Sequence, residues 1–134
     1  MQPMAWARAA PEILVVDDDH DIRELTTEVL VLAGYRVRSA RNGRVALEQA
    51  RRLRPDLIVL DLMMPEMSGW EFLEAQREDT LLHSIPVIVV TAGTDTYAEG
   101  AAALMRKPLD VRLLLAIVAR LCGGGRDQLD QLSA

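Results

Sequence analysis

Five side chains stand where chemistry could be done. Asp61 ends the apolar run Leu57-Ile58-Val59-Leu60 and is followed by Leu62-Met63-Met64-Pro65 and then Gly69. Asp17 and Asp18 end a second run, Ile13-Leu14-Val15-Val16. Thr91 ends a third, Val87-Ile88-Val89-Val90, and Lys107 precedes Pro108. A strand buried on both faces reads as a continuous aliphatic run, and open α/β sheets bind ligands at the carboxyl ends of their strands. Three carboxylates, a hydroxyl and an amine, most of them at strand ends, imply one crevice that holds a divalent metal and a phosphoryl group.

Mg²⁺ takes oxygen ligands, keeps several waters and is often held by one or two carboxylates plus a phosphate. Asp17 and Asp18 supply two carboxylates at one strand tip. Bringing Asp61 beside them costs Coulomb repulsion that a cation relieves. Asp61 is then the natural nucleophile toward phosphorus, and the mixed anhydride it would form is labile, which suits a signal more than a store. Phosphoryl transfer is mostly positioning and charge stabilisation. The metal is expected on one phosphoryl oxygen, the compact Lys107 ammonium on another and the Thr91 hydroxyl on a third. A Lys107–Pro108 bond is a candidate for the cis form, which would aim Lys107 into the crevice. Each residue has a plainer use: Asp19 or Asp21 can cap a helix, a Thr after two valines is ordinary strand composition, and one Lys-Pro says little. The set, in this order on these strands, is what carries meaning.

The elements that must position these residues alternate. Residues 12–17 read as a buried strand, followed by a helix over 19–33 with Ile22, Leu25, Val29, Leu32 and Ala33 at helical spacing and Gly34 as its stop. Residues 35–39 form a short strand suited to a sheet edge, and Arg41-Asn42-Gly43 a turn. Val45, Leu47, Ala50 and Leu53 mark a second helix that ends before Pro55. Residues 56–61 are the third strand, Ser68-Gly69 opens a third helix with Trp70, Phe72, Leu73 and Ala75, and 86–91 is the fourth strand. A last helix covers 110–122. Only fifteen residues, 92–106, remain for a helix and a fifth strand. They leave room for a short fourth helix over 94–99, ended by Gly100, and a fifth strand over 101–106. The β-α alternation predicts an α/β, doubly wound, five-stranded parallel sheet with helices on both faces.

The whole chain of 134 residues fits one domain with one core, with 1–11 as an N-terminal extension, 12–122 as the domain and 123–134 as a Gly-rich stop and polar tail. Twenty acids against fifteen bases give a net charge of −5, which argues against a chain that coats nucleic acid. Cys122 is the one cysteine, so no internal disulfide forms; it reads as a packed, inert thiol in a reducing, cytoplasmic setting. No apolar run is long enough to span a bilayer, and residues 1–11 lack the apolar core of a signal peptide.

Taken together, Ile13-Leu14-Val15-Val16-Asp17-Asp18-Asp19, the run from Leu60 and Asp61 through Met63, Pro65 and Gly69, Val90-Thr91-Ala92 and Lys107-Pro108 resemble the receiver domain of two-component response regulators over about 12–122. The resemblance implies a flavodoxin-like strand order 2-1-3-4-5. It implies that Asp61 accepts a phosphoryl group from a histidine kinase or histidine phosphotransfer protein in a phosphorelay, to give an aspartyl phosphate. It implies Mg²⁺ on Asp18, Asp61 and the backbone carbonyl of Met63, with Asp17 helping through water, and phosphoryl contacts from Thr91 and Lys107. Such a domain catalyses only its own phosphorylation and dephosphorylation and is not otherwise an enzyme. An unknown output protein is its expected partner, with no direct nucleic-acid or membrane binding.

The sequence departs from the family in one region. The family has an aromatic residue three positions before its lysine, which moves inward with the threonine hydroxyl; here the position holds Leu104. The short fourth helix and the uncharged Ala102 and Ala103 lie in the same region. Phosphorylation chemistry thus reads as intact and its relay as altered, with three alternatives: a segment over 92–100 that orders on phosphorylation, a homodimer through the fifth strand, or alanines and Leu104 merely packed under the 123–134 tail. The positions two after Asp61 and Thr91, which tune phosphoryl lifetime in the family, hold Met63 and Gly93, so fast self-hydrolysis is not expected. A degenerate receiver that binds a partner without phosphate is the alternative function. A Mg²⁺-dependent phosphohydrolase using Asp17 and Asp19 is the remote one, since it leaves Asp61 unexplained.

Overall fold

The computed structural model describes residues 10–95 and 97–122. Among the described residues five strands form one parallel sheet: β1 (Glu12–Val16), β2 (Arg36–Ala40), β3 (Leu57–Asp61), β4 (Val87–Thr91) and β5 (Ala103–Arg106). Among the same residues four helices connect or follow them: α1 (His20–Leu32), α2 (Gly43–Arg52), α3 (Gly69–Arg77) and α4 (Val111–Cys122). The strand order is β2-β1-β3-β4-β5, so β1 and β3 are central and the chain reverses direction of travel beside β1.

Alternate residues of each strand feed two cores. Leu14, Val16, Ile58, Leu60, Val87 and Val89 pack with Ala46, Leu47, Phe72 and Leu73 of α2 and α3. Ile13, Val15, Leu57, Val59, Ile88 and Val90 pack with Leu30 of α1 and Leu114 and Val118 of α4. Burying an aliphatic or aromatic side chain contributes about 1.5–3 kcal/mol, so these two layers hold the sheet against chain entropy. They also leave the strand tips as the place where polar side chains can gather.

Local signals fix the helix starts. Asp19, not Asp21, caps α1, accepting the N–H groups of Asp21 and Ile22. Asn42 caps α2 through the N–H of Val45, so α2 begins at Gly43, inside the expected turn. Ser68 and Glu71 form a reciprocal capping box at α3. Strand β2 runs one residue later than expected because Tyr35 is spent on the turn, its N–H donating to the Leu30 carbonyl at 3.1 Å.

The expected short fourth helix over 94–99 is corrected by the structure. Among the described residues no helix stands between Thr91 and Ala103. The connection is too short and too rich in turn formers: Gly93 and Thr94 open it, and Gly100 adopts φ +90°, a left-handed conformation suited to glycine. Ala101 N–H donates to Ala98 O at 3.0 Å, closing a turn where the fifth strand was expected to begin, so β5 starts at Ala103. Buried Ala98, with Ala101 and Leu104 packed against the same core, covers the sheet where a helix would have lain. Arg77 of α3 ties this connection down by donating to the Glu99 carbonyl at 3.2 Å. The 123–134 tail and most of the N-terminal extension lie outside the described residues.

Candidate phosphoryl and metal site

Strand register sets the site. Val16 pairs with Leu60, so Asp17 follows the tip of β1 beside Asp61 at the tip of β3. Asp61 pairs with Val90, and Thr91 lies one residue further on β4. Thr91 pairs with Arg106, and Lys107 N–H donates to the Thr91 carbonyl at 2.9 Å, so Lys107 leaves β5 beside β4. Parallel strands thus deliver residues far apart in sequence to one edge.

Asp61 is buried, and its Oδ1 accepts the Met63 N–H at 3.2 Å. Lys107 Nζ sits 3.6 Å from Asp61 Oδ1 and donates to Asp17 Oδ2 at 3.3 Å. Asp17 Oδ1 accepts the Asp19 N–H at 2.9 Å, which fixes the carboxylate at the start of α1. The Lys107–Pro108 bond is cis, as its sequence suggested. Burial, and then the Asp17 carboxylate, push the Asp61 carboxyl up to about 6, against the opposing pull of Lys107 and the Met63 N–H; Asp18 adds a smaller push upward. The lone lysine therefore leaves the acidic charge only partly compensated.

One carboxylate oxygen from each of Asp17, Asp18 and Asp61 lies within 4.8 Å of the others. Asp18 is exposed and the other two are buried, so the cluster opens to solvent on one side. An all-oxygen set open to water suits a hard divalent cation that keeps part of its hydration shell, so the residues present fit Mg²⁺. Beside the cluster, Ile22, Leu25, Thr26, Val90, Pro108 and Leu109 line a mostly apolar cavity of about 200 Å³.

The other expected site residues fall into two groups. Thr91 is fully buried, and its hydroxyl contacts Gly93 and Asp95. Met63 brings its backbone to the site while its side chain is exposed. Leu104 is not at the site: it pairs with Val89 inside the sheet and packs on the α2–α3 face. Cys122 is half-buried, its Sγ donating to the Val118 carbonyl at 3.2 Å. Asp95 was missed in the sequence, where a single acid in a Gly-Thr-Asp turn carries no periodic signal.

A five-stranded sheet of this order with an acidic cluster and a lysine at its carboxyl edge defines the class of aspartate-centred signalling receivers. Residues 13–119 match the response regulator receiver domain family, and the chain belongs to it. It is 38% identical over 117 residues to the DNA-binding dual master transcriptional regulator RpaA of Synechocystis sp., covering 83% of this chain and 48% of RpaA. The chain thus spans about half the length of that relative. The structure of chemotaxis protein CheY4 of Vibrio cholerae superposes with a TM-score of 0.79 at 34% identity, covering 84% of this chain and 99% of CheY4. The receiver domain of sensor histidine kinase PA1611 from Pseudomonas aeruginosa, which has a magnesium ion coordinated in its active-site cleft, superposes with a TM-score of 0.79 at 28% identity, covering 87% of this chain and all of that domain.

Proposed function

We propose that Asp61 accepts a phosphoryl group from a histidine kinase or histidine phosphotransfer protein, and that the acyl phosphate switches binding of an output partner. The observation that carries this reading is the buried Asp61 carboxylate set among Asp17, Asp18 and Lys107 at the sheet edge. An Asp61 oxygen attacks phosphorus as the P–N bond of the donor phosphohistidine breaks, and the imidazole leaves with the bonding electron pair. Lys107 neutralises charge on the transferred group. The Thr91 hydroxyl would donate a hydrogen bond to a phosphoryl oxygen. Asp17, Asp18 and Asp61, whose carboxylates converge, would hold Mg²⁺ together with the Met63 backbone. The ion supplies charge neutralisation for the incoming phosphoryl oxygens. Half-exposed Leu25 and the apolar wall of the adjoining cavity offer surface against which a donor helix would pack.

On this reading the chain turns over no free phosphomonoester: the Asp19 side chain, which a phosphohydrolase would pair with Asp17, is committed to capping α1. The setting is cytoplasmic: phosphohistidine donors are intracellular, and among the described residues no helix is long and apolar enough to cross a membrane.

The test is intact mass after incubation with acetyl phosphate and Mg²⁺, beside an Asp61→Ala control. A gain of one phosphoryl group that needs both Mg²⁺ and Asp61 supports the reading. The missing helix and Leu104 favour a second reading, partner binding without phosphate, which a failure to label the folded, Mg²⁺-loaded chain would support instead.

A further inference from the structure

The Thr91 hydroxyl is already committed. Thr91 Oγ1 accepts the Gly93 N–H at 3.0 Å and donates to Asp95 Oδ2 at 3.3 Å. Gly93 is pressed against this pair: a Cβ there would fall 3.0 Å from Asp95 Oδ2 and 3.4 Å from Thr91 Oγ1. The Gly93 carbonyl in turn accepts from Arg106 Nη1 at 2.9 Å, and Arg106 is the register partner of Thr91. The end of β4, the connection after it and the end of β5 are thereby joined through one hydroxyl, one carboxylate and one guanidinium.

A hydroxyl has a single proton to donate. A phosphoryl oxygen on Asp61 and the Asp95 carboxylate both require it, and both are anionic acceptors of the strong kind. We propose that Asp95 is a positioning residue that competes for the Thr91 proton, so that forming the phosphoryl group on Asp61 pulls the hydroxyl from Asp95 and frees the start of the β4–β5 connection. The inference rests on the reading of Asp61 as the acceptor. It assigns the relay to a side chain on the connection that replaces the missing helix. Leu104 packs away from the site, so the release passes through Asp95 and Gly93 instead. Ala98 and the Arg77–Glu99 contact keep the far end of the connection in place, which confines the release to its first residues.

The experiment is a double-mutant cycle read by affinity for beryllofluoride, a phosphoryl mimic, in saturating Mg²⁺. The four full-length chains are wild type, Asp95→Ala, Thr91→Val and the double variant. Thr91→Val keeps the shape and removes the hydroxyl. Asp95→Ala is expected to tighten beryllofluoride binding about tenfold, equivalent to about 1.4 kcal/mol. In the Thr91→Val background the same substitution is expected to change affinity less than twofold. Asp95→Asn, which keeps an acceptor without the charge, is expected to fall between and guards against a folding defect in the alanine variant. Unchanged affinity on Asp95→Ala overturns the inference while leaving Asp61 as acceptor. Equal tightening in both backgrounds also overturns it, because the carboxylate would then act through bulk charge and not through the hydroxyl. Absence of beryllofluoride binding by wild type overturns the reading of Asp61 itself, and the inference with it.

Discussion

Lys107 Nζ lies 3.6 Å from Asp61 Oδ1, one ammonium facing a carboxylate that burial and two neighbouring acids make costly to ionise. Lys107 lowers that cost and, with a phosphoryl group on Asp61, would meet the new charge. Lys107→Met removes the ammonium and keeps the apolar stem. The rate of labelling by acetyl phosphate is expected to fall about 10²-fold, the scale seen when one charge-stabilising donor is lost. Mg²⁺ affinity should change far less, because the carboxylates remain. Single-turnover labelling beside a Mg²⁺ titration separates the two.

Raising the Asp61 carboxyl from 3.8 to about 6 also fixes a sign for stability. The folded chain holds this proton more tightly than the unfolded one. Ionisation of Asp61 thus costs the fold nothing below about pH 4 and its full amount above about pH 6, at most about 3 kcal/mol. Asp61→Asn is expected to raise the denaturation midpoint at pH 7.5 and to leave it nearly unchanged at pH 4. Mg²⁺ should stabilise wild type more at pH 7.5 than at pH 5, because it competes with the proton for the same oxygens. A gain from Asp61→Asn that is equal at both pH values would count against the charge account.

Gly69 opens α3 where the backbone leaves no room. A Cβ there would stand 2.7 Å from the Asp61 carbonyl oxygen and 2.7 Å from Leu62 Cα. Neither atom is a flexible tip, so Gly69→Ala must move the tip of β3. The expected loss is about 2–4 kcal/mol in chemical denaturation, within the range for overpacking and local strain. A parallel drop in acetyl phosphate labelling is expected, because the shift falls on the strand that carries Asp61.

How much of this was legible in the sequence follows from where the information lies. The five aliphatic or alternating strands and three of the connections are written as period and punctuation, and the strand tips bring Asp17, Asp61 and Lys107 together as their order implied. The cap at Asn42 was readable only as a turn, since Asn-Gly serves both uses. The short fourth helix failed because length was the one constraint applied to it; Ala98 packing on the sheet and Arg77 holding Glu99 are tertiary contacts with no local signature. Asp95 was illegible for the same reason: its meaning depends on Thr91 and Gly93 being folded against it.

Gln76 shows what such contacts are worth. It is buried on α3, and its Nε2 donates to the Leu82 and Ile85 carbonyls at 2.9 and 2.8 Å, holding the turn that leads into β4. Gln76→Leu conserves volume and leaves two buried carbonyls without this donor. Each unsatisfied buried polar group costs about 1–3 kcal/mol, so a loss of about 2–6 kcal/mol is expected for the two. Urea denaturation measures it. A loss below about 1 kcal/mol would mean that water reaches both carbonyls.

The lifetime of an acyl phosphate on Asp61 would depend on whether a side chain can orient water toward phosphorus. Met63 follows Asp61 by two residues and is 60% exposed, with a thioether that neither donates nor takes a proton. Gly93, two residues after Thr91, has no side chain, and a Cβ there would crowd Asp95 Oδ2 at 3.0 Å. The aspartyl phosphate is therefore expected to persist for minutes rather than seconds after removal of the donor, followed by intact mass. Met63→Glu places a carboxylate at an exposed position whose backbone already contacts Asp61, and should shorten that lifetime about tenfold or more by general-base assistance. Gly93→Glu would not serve as the same test, because it strikes the Thr91–Asp95 contact before it reaches water. A lifetime of seconds in wild type would mean that another group at the sheet edge activates water, and Asp95, once separated from Thr91, would be the first to replace.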